Sequence, residues 1–224
     1  MKTRFGNVTR SGCGQKTQSK GRPLLAFMTD DVRTPDPARA LRRLTPGTIV
    51  IFRHYDAPDR TVLGRRLAAL ARRRRLIFIV AGDRRLAKSL NADGLHLPEG
   101  MVARRYRFAP ASDQWLITAA AHDPASARRA ARNGADIVLM SPVLPTASHP
   151  GAPSLGIHRL ATVCRGLNAP VMALGGIGPA SARRVLAAGA IGIAGIGGLP
   201  HLCRDPFGIR TRSSVPLAVG GDLV

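Results

Sequence analysis

His122 stands just past an apolar run, Leu116–Ala120, and directly before Asp123-Pro124. An imidazole in that place suits general acid–base work, because both of its protonation states are accessible near neutrality. Arg53 leaves a second apolar run in the string Phe52-Arg-His-Tyr-Asp. A guanidinium there can clamp a phosphate or carboxylate, or pair with Asp30 or Asp56 at a rim. Two glycine-rich turns follow later runs: Ala173-Leu-Gly-Gly-Ile-Gly-Pro with Gly175 and Gly176, and Ala194-Gly-Ile-Gly-Gly with Gly195. Such turns let backbone N–H groups approach an anion, and a helix beginning at Pro179 would add its positive end. The long stretch from Met140 to Gly156 offers Thr146, Ser148 and His149 as donors and a titratable ring, as a lid or binding loop does. His96 reads as a satisfied core residue rather than one facing a mouth, and Trp115 reads as packing. The chemistry in view is the binding of a small phosphorylated ligand and the movement of a proton upon it.

Residues so placed need a scaffold that brings strand ends together. Short apolar runs recur at Leu24–Thr29, Thr48–Phe52, Leu76–Val80, Gly94–Leu97, Leu116–Ala120, Asp136–Met140, Val171–Ala173 and Gly192–Ile196. Several lack inside–outside alternation, as in a parallel sheet covered by helices. Between them, Arg60 to Arg73 puts Leu63, Leu67 and Leu70 on one face, and Pro124 to Asn133 and Ala180 to Ala188 behave alike. Pro37, Pro124 and Pro179 suit a first helical turn. Asn91, Gly134 and Gly189 recur at helix-to-strand joints, where a left-handed residue closes the helix. Eight strands alternating with helices predict an α/β fold, a (β/α)8 TIM barrel. Its mouth is then formed by the loops after the strands, with phosphate after the seventh and eighth.

Both ends of the chain depart from this pattern. Residues 1–22 read as a disordered basic arm, 23–200 as the barrel, and 201–224 as an irregular tail with the last helix short or missing. A last strand so exposed makes a homodimer an expectation to check.

Composition narrows the function classes. The chain has 224 residues, 45% of them hydrophobic, enough for one barrel-sized core. No apolar run approaches a membrane span, and the basic N-terminus has no apolar segment after it, so a cytoplasmic protein without membrane partners is expected. Cys13, Cys164 and Cys203 lack metal or disulfide spacing. The formal charge of +21 comes from arginines spread along the whole chain, with aromatics at 4%. That pattern suits solvated helix faces and attraction of phosphorylated metabolites better than stacking on bases, so nucleic acid is not an expected partner. The run Arg72–Arg75 suits the negative end of a helix.

In order along the chain, Met28-Thr-Asp, Arg53, Ala92-Asp-Gly-Leu-His-Leu, His122, Asn133-Gly-Ala-Asp, Ser141-Pro-Val-Leu-Pro-Thr-Ala-Ser with His149, and Ala173-Leu-Gly-Gly-Ile resemble the thiamine phosphate synthase/TenI family, over roughly Leu24 to Leu199. The resemblance implies a barrel of thiamine biosynthesis that holds a thiazole phosphate. A full synthase of that family also joins the thiazole to a pyrimidine pyrophosphate with Mg²⁺. Here Tyr55 replaces an expected lysine, Ala81-Gly82 an expected Asn-Asp, Ala120 a serine, and His149 a second lysine. Asp83, one residue along, and Glu99 are the remaining weak candidates for the metal. Pyrophosphate departure develops charge that cations must offset, whereas thiazole tautomerisation needs phosphate anchoring and a proton shuttle. The resemblance to TenI-type tautomerases therefore assigns acid–base work to His122, substrate charge to Arg53, and phosphate or loop contacts to Thr146, Ser148, Gly175 and Gly176. It leaves two alternatives: an active Mg²⁺-dependent synthase, and a non-catalytic member that binds a phosphate ligand.

Overall fold

The computed structural model describes residues 23–102, 115–146, 151 and 153–196. The basic arm, the tail and the region of the final helix lie outside these residues, as do Ser148 and His149.

Each apolar run is a strand bonded in parallel to its neighbours, and the last closes on the first. The strands are β1 Leu24–Met28, β2 Ile49–Phe52, β3 Ile77–Ala81, β4 Gly94–Leu97, β5 Leu116–Ala121, β6 Ile137–Met140, β7 Val171–Leu174 and β8 Gly192–Gly195. The closing pair sets Leu24 opposite Gly192 and Phe27 opposite Gly195. The barrel expected from eight runs is present, with strand bounds shifted by one residue at half of the ends.

Seven helices follow the strands among the described residues: α1 Pro37–Arg42, α2 Arg60–Arg73, α3 Arg84–Ser89, α4 Glu99–Val102, α5 Pro124–Arg132, α6 Ile157–Gly166 and α7 Pro179–Ala187. The three anticipated from periodicity are α2, α5 and α7. The helix whose close Asn91 marked is α3; neither it nor α4 shows a stripe of its own, because one turn or so cannot display one, and α6 follows the long loop and was missed with it. Carboxylates cap the starts of several helices: Asp36 accepts from Arg39 N, Asp83 from Leu86 N, and Asp123 from Ala125 N and Ser126 N. Cations close the ends, with Arg42 on α1, Arg72 and Arg73 on α2, Lys88 on α3, Arg132 on α5, Arg165 on α6 and Arg184 on α7. Both placements complement the helix dipole.

Strand alternation divides the core into two layers. Ala26, Met28, Ile49, Ile51, Ile79, Ala81, Leu116, Ile137, Leu139, Met172 and Ala194 form the inner cluster. Phe27, Val50, Phe52, Phe78, Val80, Ile117, Val138 and Val171 pack outward with helix residues such as Leu67, Ala127, Leu160 and Val185. Trp115 packs against this outer layer, as expected. Asn91, Gly134 and Gly189 all have positive φ at the helix-to-strand joints, and so does Arg75 after α2. None of the described helices is long and apolar enough to cross a membrane.

The inner layer has little spare room where backbones approach. A Cβ on Gly94 would run into the Leu116 carbonyl of the neighbouring strand, whereas one on Gly100 would meet nothing within 4 Å. Gly94→Ala is expected to lower stability by about 1–3 kcal/mol, as overpacking does. Gly100→Ala, in a helix, should be neutral or stabilising by up to about 1 kcal/mol. Equilibrium urea unfolding of the two variants beside the parent checks both.

Candidate functional site

Three consecutive strand ends hold the imidazole. His122 follows β5 directly, and Asp123 begins the capping box of α5, so the backbone at this point has little freedom. The His122 amide lies 3.2 Å from Ser126 Oγ and 3.4 Å from Glu99 Oε1. Its Nδ1 is 2.7 Å from the carbonyl oxygen of Ser141, just past β6. A carbonyl can only accept, so Nδ1 carries a proton and donates it. Nε2 is then the ring position left for proton transfer, and in the neutral ring it holds the lone pair. It lies 3.8 Å from Glu99 Oε2 at the start of α4, in a side chain 54% exposed. The ring is fixed in tautomer, yet open to a ligand.

At the ends of β1 and β2 the cationic group is Arg53. Alternation continues past Ile51, so the same parity aims Arg53 inward at the mouth. Its Nη2 lies 3.4 Å from Asp30 Oδ2, and Asp30 rather than Asp56 is therefore the rim partner. Burial opposes ionisation of Asp30, but the amides of Arg33 and Val32 and the charges of Arg33 and Arg53 outweigh it and lower its pKa. Thr29 Oγ1 ties the corner together, accepting from Arg53 N at 3.0 Å and meeting His54 Nδ1 at 2.9 Å. His54 is buried against the Phe52 ring, and that burial pushes its pKa down.

Below Arg53 the floor is polar. His96 shares the register level of Ala81 and Thr118 inside the barrel, with Nδ1 2.8 Å from Thr118 Oγ1. It is a satisfied core histidine, as expected. Burial, assisted by the Arg53 charge, lowers its pKa to about 3.

The glycine turn after β7 is shaped by the loop after β6. Val143 N donates to Leu174 O at 2.9 Å and Leu144 N to Gly175 O at 3.1 Å, laying one loop against the other. Gly176 has φ +67° there, and a Cβ on it would strike the Leu144 and Pro145 carbonyls. Gly175 is held similarly, with Pro142 Cα 2.9 Å from where its Cβ would be. Among the described residues no backbone acceptor takes the amides of Gly176 or Ile177. Gly195 ends the adjacent β8, opposite Phe27, so the two glycine turns leave the same end of the barrel as His122 and Arg53. Thr146 ends the described part of the β6 loop on that side.

The donor set present does not fit Mg²⁺. Asp83 Oδ1 caps α3 at 2.8 Å from Leu86 N, and Oδ2 lies 3.6 Å from Arg60 Nη1. The Arg60 guanidinium sits between the Phe52 and Tyr55 rings, 5.6 and 5.2 Å from their centroids, and donates to Ala81 O at 2.8 Å. A fixed cation already occupies the side of Asp83 that a metal would need, and like charges repel there. Glu99 faces His122 instead. Among the described residues no three His, Cys, Asp or Glu side chains gather in a way that could hold a metal ion.

Sequence reading missed Arg60, Thr29 and Thr118. Arg60 had a signal: a cation in the first turn of a helix opposes the dipole and calls for some other partner. The two threonines had none, because their bonds cross 24 and 22 residues of chain.

A closed parallel barrel with helices following its strands, an imidazole fixed after β5 and a glycine turn after β7 defines a TIM barrel of the α/β class. The chain belongs to the thiamine monophosphate synthase family, whose model matches residues 25–199. It is similar to the putative thiamine-phosphate synthase 2 of Aquifex aeolicus, 33% identical over 154 residues that cover 66% of this chain and 80% of that one. The thiamine-phosphate synthase of Bacillus velezensis is 28% identical over 189 residues, covering 80% and 84%. Among solved structures, the thiamine phosphate pyrophosphorylase from Pyrococcus furiosus superposes with a TM-score of 0.64 at 27% identity, covering 79% of this chain and 87% of that chain.

The buried histidine makes a stability test with a definite sign. His96 stays neutral in the fold down to about pH 3, while the ordinary histidine value is 6.5. Between those values the unfolded chain binds the extra proton, so stability falls as pH drops from 6.5 towards 3. His54 contributes with the same sign. Stability at pH 4.5 should be lower than at pH 7 by on the order of 2 kcal/mol. Urea unfolding across this range checks it, and His96→Gln should flatten the slope.

Proposed function

We propose that the barrel mouth binds a thiazole phosphate and that His122 moves a proton upon it, a tautomerase-like reaction rather than coupling to a pyrimidine pyrophosphate. The observation that carries this reading is the His122 ring, pinned through Nδ1 to the Ser141 carbonyl while Nε2 is left facing the mouth. A fixed tautomer with one accessible nitrogen is what a shuttle between two ligand atoms requires. The phosphate lies against the Gly175-Gly176-Ile177 turn, near the N-terminal end of α7, with Thr146 and Ser148 as further contacts that the resemblance implies and Gly195 and His149 as contacts read from their place in the sequence. Arg53 faces the ligand's other negative group; with Asp30 on one of its nitrogens, it keeps further N–H donors for that purpose.

Coupling would need more. A departing pyrophosphate concentrates negative charge that fixed cations or a metal must offset, and Asp83 is committed to α3 and Arg60. The names of the relatives favour the second reading, an active synthase. The third is a phosphate-binding member without turnover.

Pure protein incubated with thiazole phosphate and pyrimidine pyrophosphate, with and without Mg²⁺, is expected to form no thiamine phosphate at enzyme-like turnover. Mg²⁺-dependent product would overturn the proposal in favour of the synthase. With a thiazole carboxylate phosphate in D₂O, the parent should exchange a ligand proton. His122→Ala should lose roughly 10²–10⁴-fold of that rate, the span general acid–base groups usually supply. Exchange unchanged in His122→Ala would remove His122 from the mechanism. Tight binding without exchange would support the silent reading.

A further inference from the structure

We infer that Glu99 is a positioning residue for His122, a carboxylate that holds the ring's approach and offsets the charge the ring acquires when Nε2 takes a proton. The inference deepens the proton-transfer reading above and rests on it.

Glu99 touches His122 twice. Oε1 lies 3.4 Å from the His122 amide, and Oε2 lies 3.8 Å from Nε2. The second distance is longer than a hydrogen bond. Glu99 therefore does not consume Nε2; it stands beside it, leaving the lone pair for a ligand atom while acting through charge. The Ser141 carbonyl holds the opposite nitrogen at 2.7 Å. The imidazole is thus bracketed by a carbonyl that sets its tautomer at Nδ1 and a carboxylate that stands 3.8 Å from Nε2. Glu99 is only 29% exposed, and it sits at the mouth of a site read as taking an anion. A carboxylate there opposes anion binding by long-range repulsion. What it supplies in return is local to the ring.

The step balances without an added reagent. A C–H bond of the ligand breaks, its electron pair enters the thiazole ring system, and the proton passes to Nε2 to give an imidazolium. The Nε2–H bond then breaks, and the proton returns to a different ligand atom. No bond to Glu99 forms or breaks in either step.

The test is deuterium exchange from D₂O into a thiazole carboxylate phosphate, followed by NMR with the full chain, Glu99→Gln and Glu99→Asp. Glu99→Gln keeps shape and hydrogen bonding but loses charge. It is expected to lower kcat about three- to tenfold with KM within about twofold, the modest size reflecting a partly exposed pair. Glu99→Asp keeps the charge and should recover kcat to within about twofold of the parent. A purely structural role would lower both variants together and lower their thermal stability. Parent-level kcat in Glu99→Gln, or Glu99→Asp no better than Glu99→Gln, overturns the inference while leaving the proton-transfer reading in place. Absence of exchange in the parent overturns both.

Discussion

Closure between β8 and β1 is the constraint on which the rest of this molecule depends. An open parallel sheet would leave β1 and β8 with unpaired amides and carbonyls along an edge. Here Leu24 N reaches Ile191 O at 3.0 Å, and the ladder runs from Gly192 to Gly195. Close approach at that seam demands a residue without a side chain opposite Leu24, and Gly192 supplies it: a Cβ there would meet the Leu24 carbonyl. Once the ring is shut, every strand points its C-terminal end the same way. Loops far apart in the chain then share one rim, and the chemistry follows from that sharing.

The rim works because neighbouring loops restrain one another. The β6 loop binds the His122 ring through the Ser141 carbonyl and, a few residues on, presses against the turn after β7 through Val143 and Leu144. The group read as moving the proton and the turn read as holding the anion are therefore fixed by one segment of backbone. Precision of this kind comes from main-chain bonds rather than long side chains, and main-chain bonds cost little entropy to maintain once the loop is formed. At the other side of the mouth, Thr29 does similar work for Arg53 and His54 with a single hydroxyl.

Much of this was legible in the residues themselves. Strands buried on both faces announce themselves as apolar runs, so eight could be placed, and Asn91, Gly134 and Gly189 marked the joints through the backbone shape they permit. Membership in the thiamine monophosphate synthase family was legible in the order of its motifs along the chain, from Met28-Thr-Asp to Ala173-Leu-Gly-Gly-Ile. Short helices showed no period of their own, since six residues such as Arg84–Ser89 hold too few turns, and only Asn91 marked where that one ends. Glu99 shows the deeper limit. Its type and place suggested a candidate metal ligand, yet its partner is a histidine 23 residues away on the next strand's loop. Spacing along a chain says nothing of which loops a barrel makes adjacent. Arg60 is a similar case: its guanidinium answers to Phe52, Tyr55, Ala81 and Asp83 at once, a convergence only the folded ring creates.

All seven helices run in one direction, and that carries a consequence for the whole particle. Carboxylate caps such as Asp36, Asp83 and Asp123 gather on the side of the mouth, while Arg42, Arg72, Arg73, Lys88, Arg132, Arg165 and Arg184 close the helices on the far side. Local capping rules, repeated in register, thereby sort cap carboxylates to one end of the barrel and helix-closing cations to the other. An anion arriving at the mouth therefore meets capping carboxylates together with Arg53 and Arg60, fixed charges of both signs on one rim.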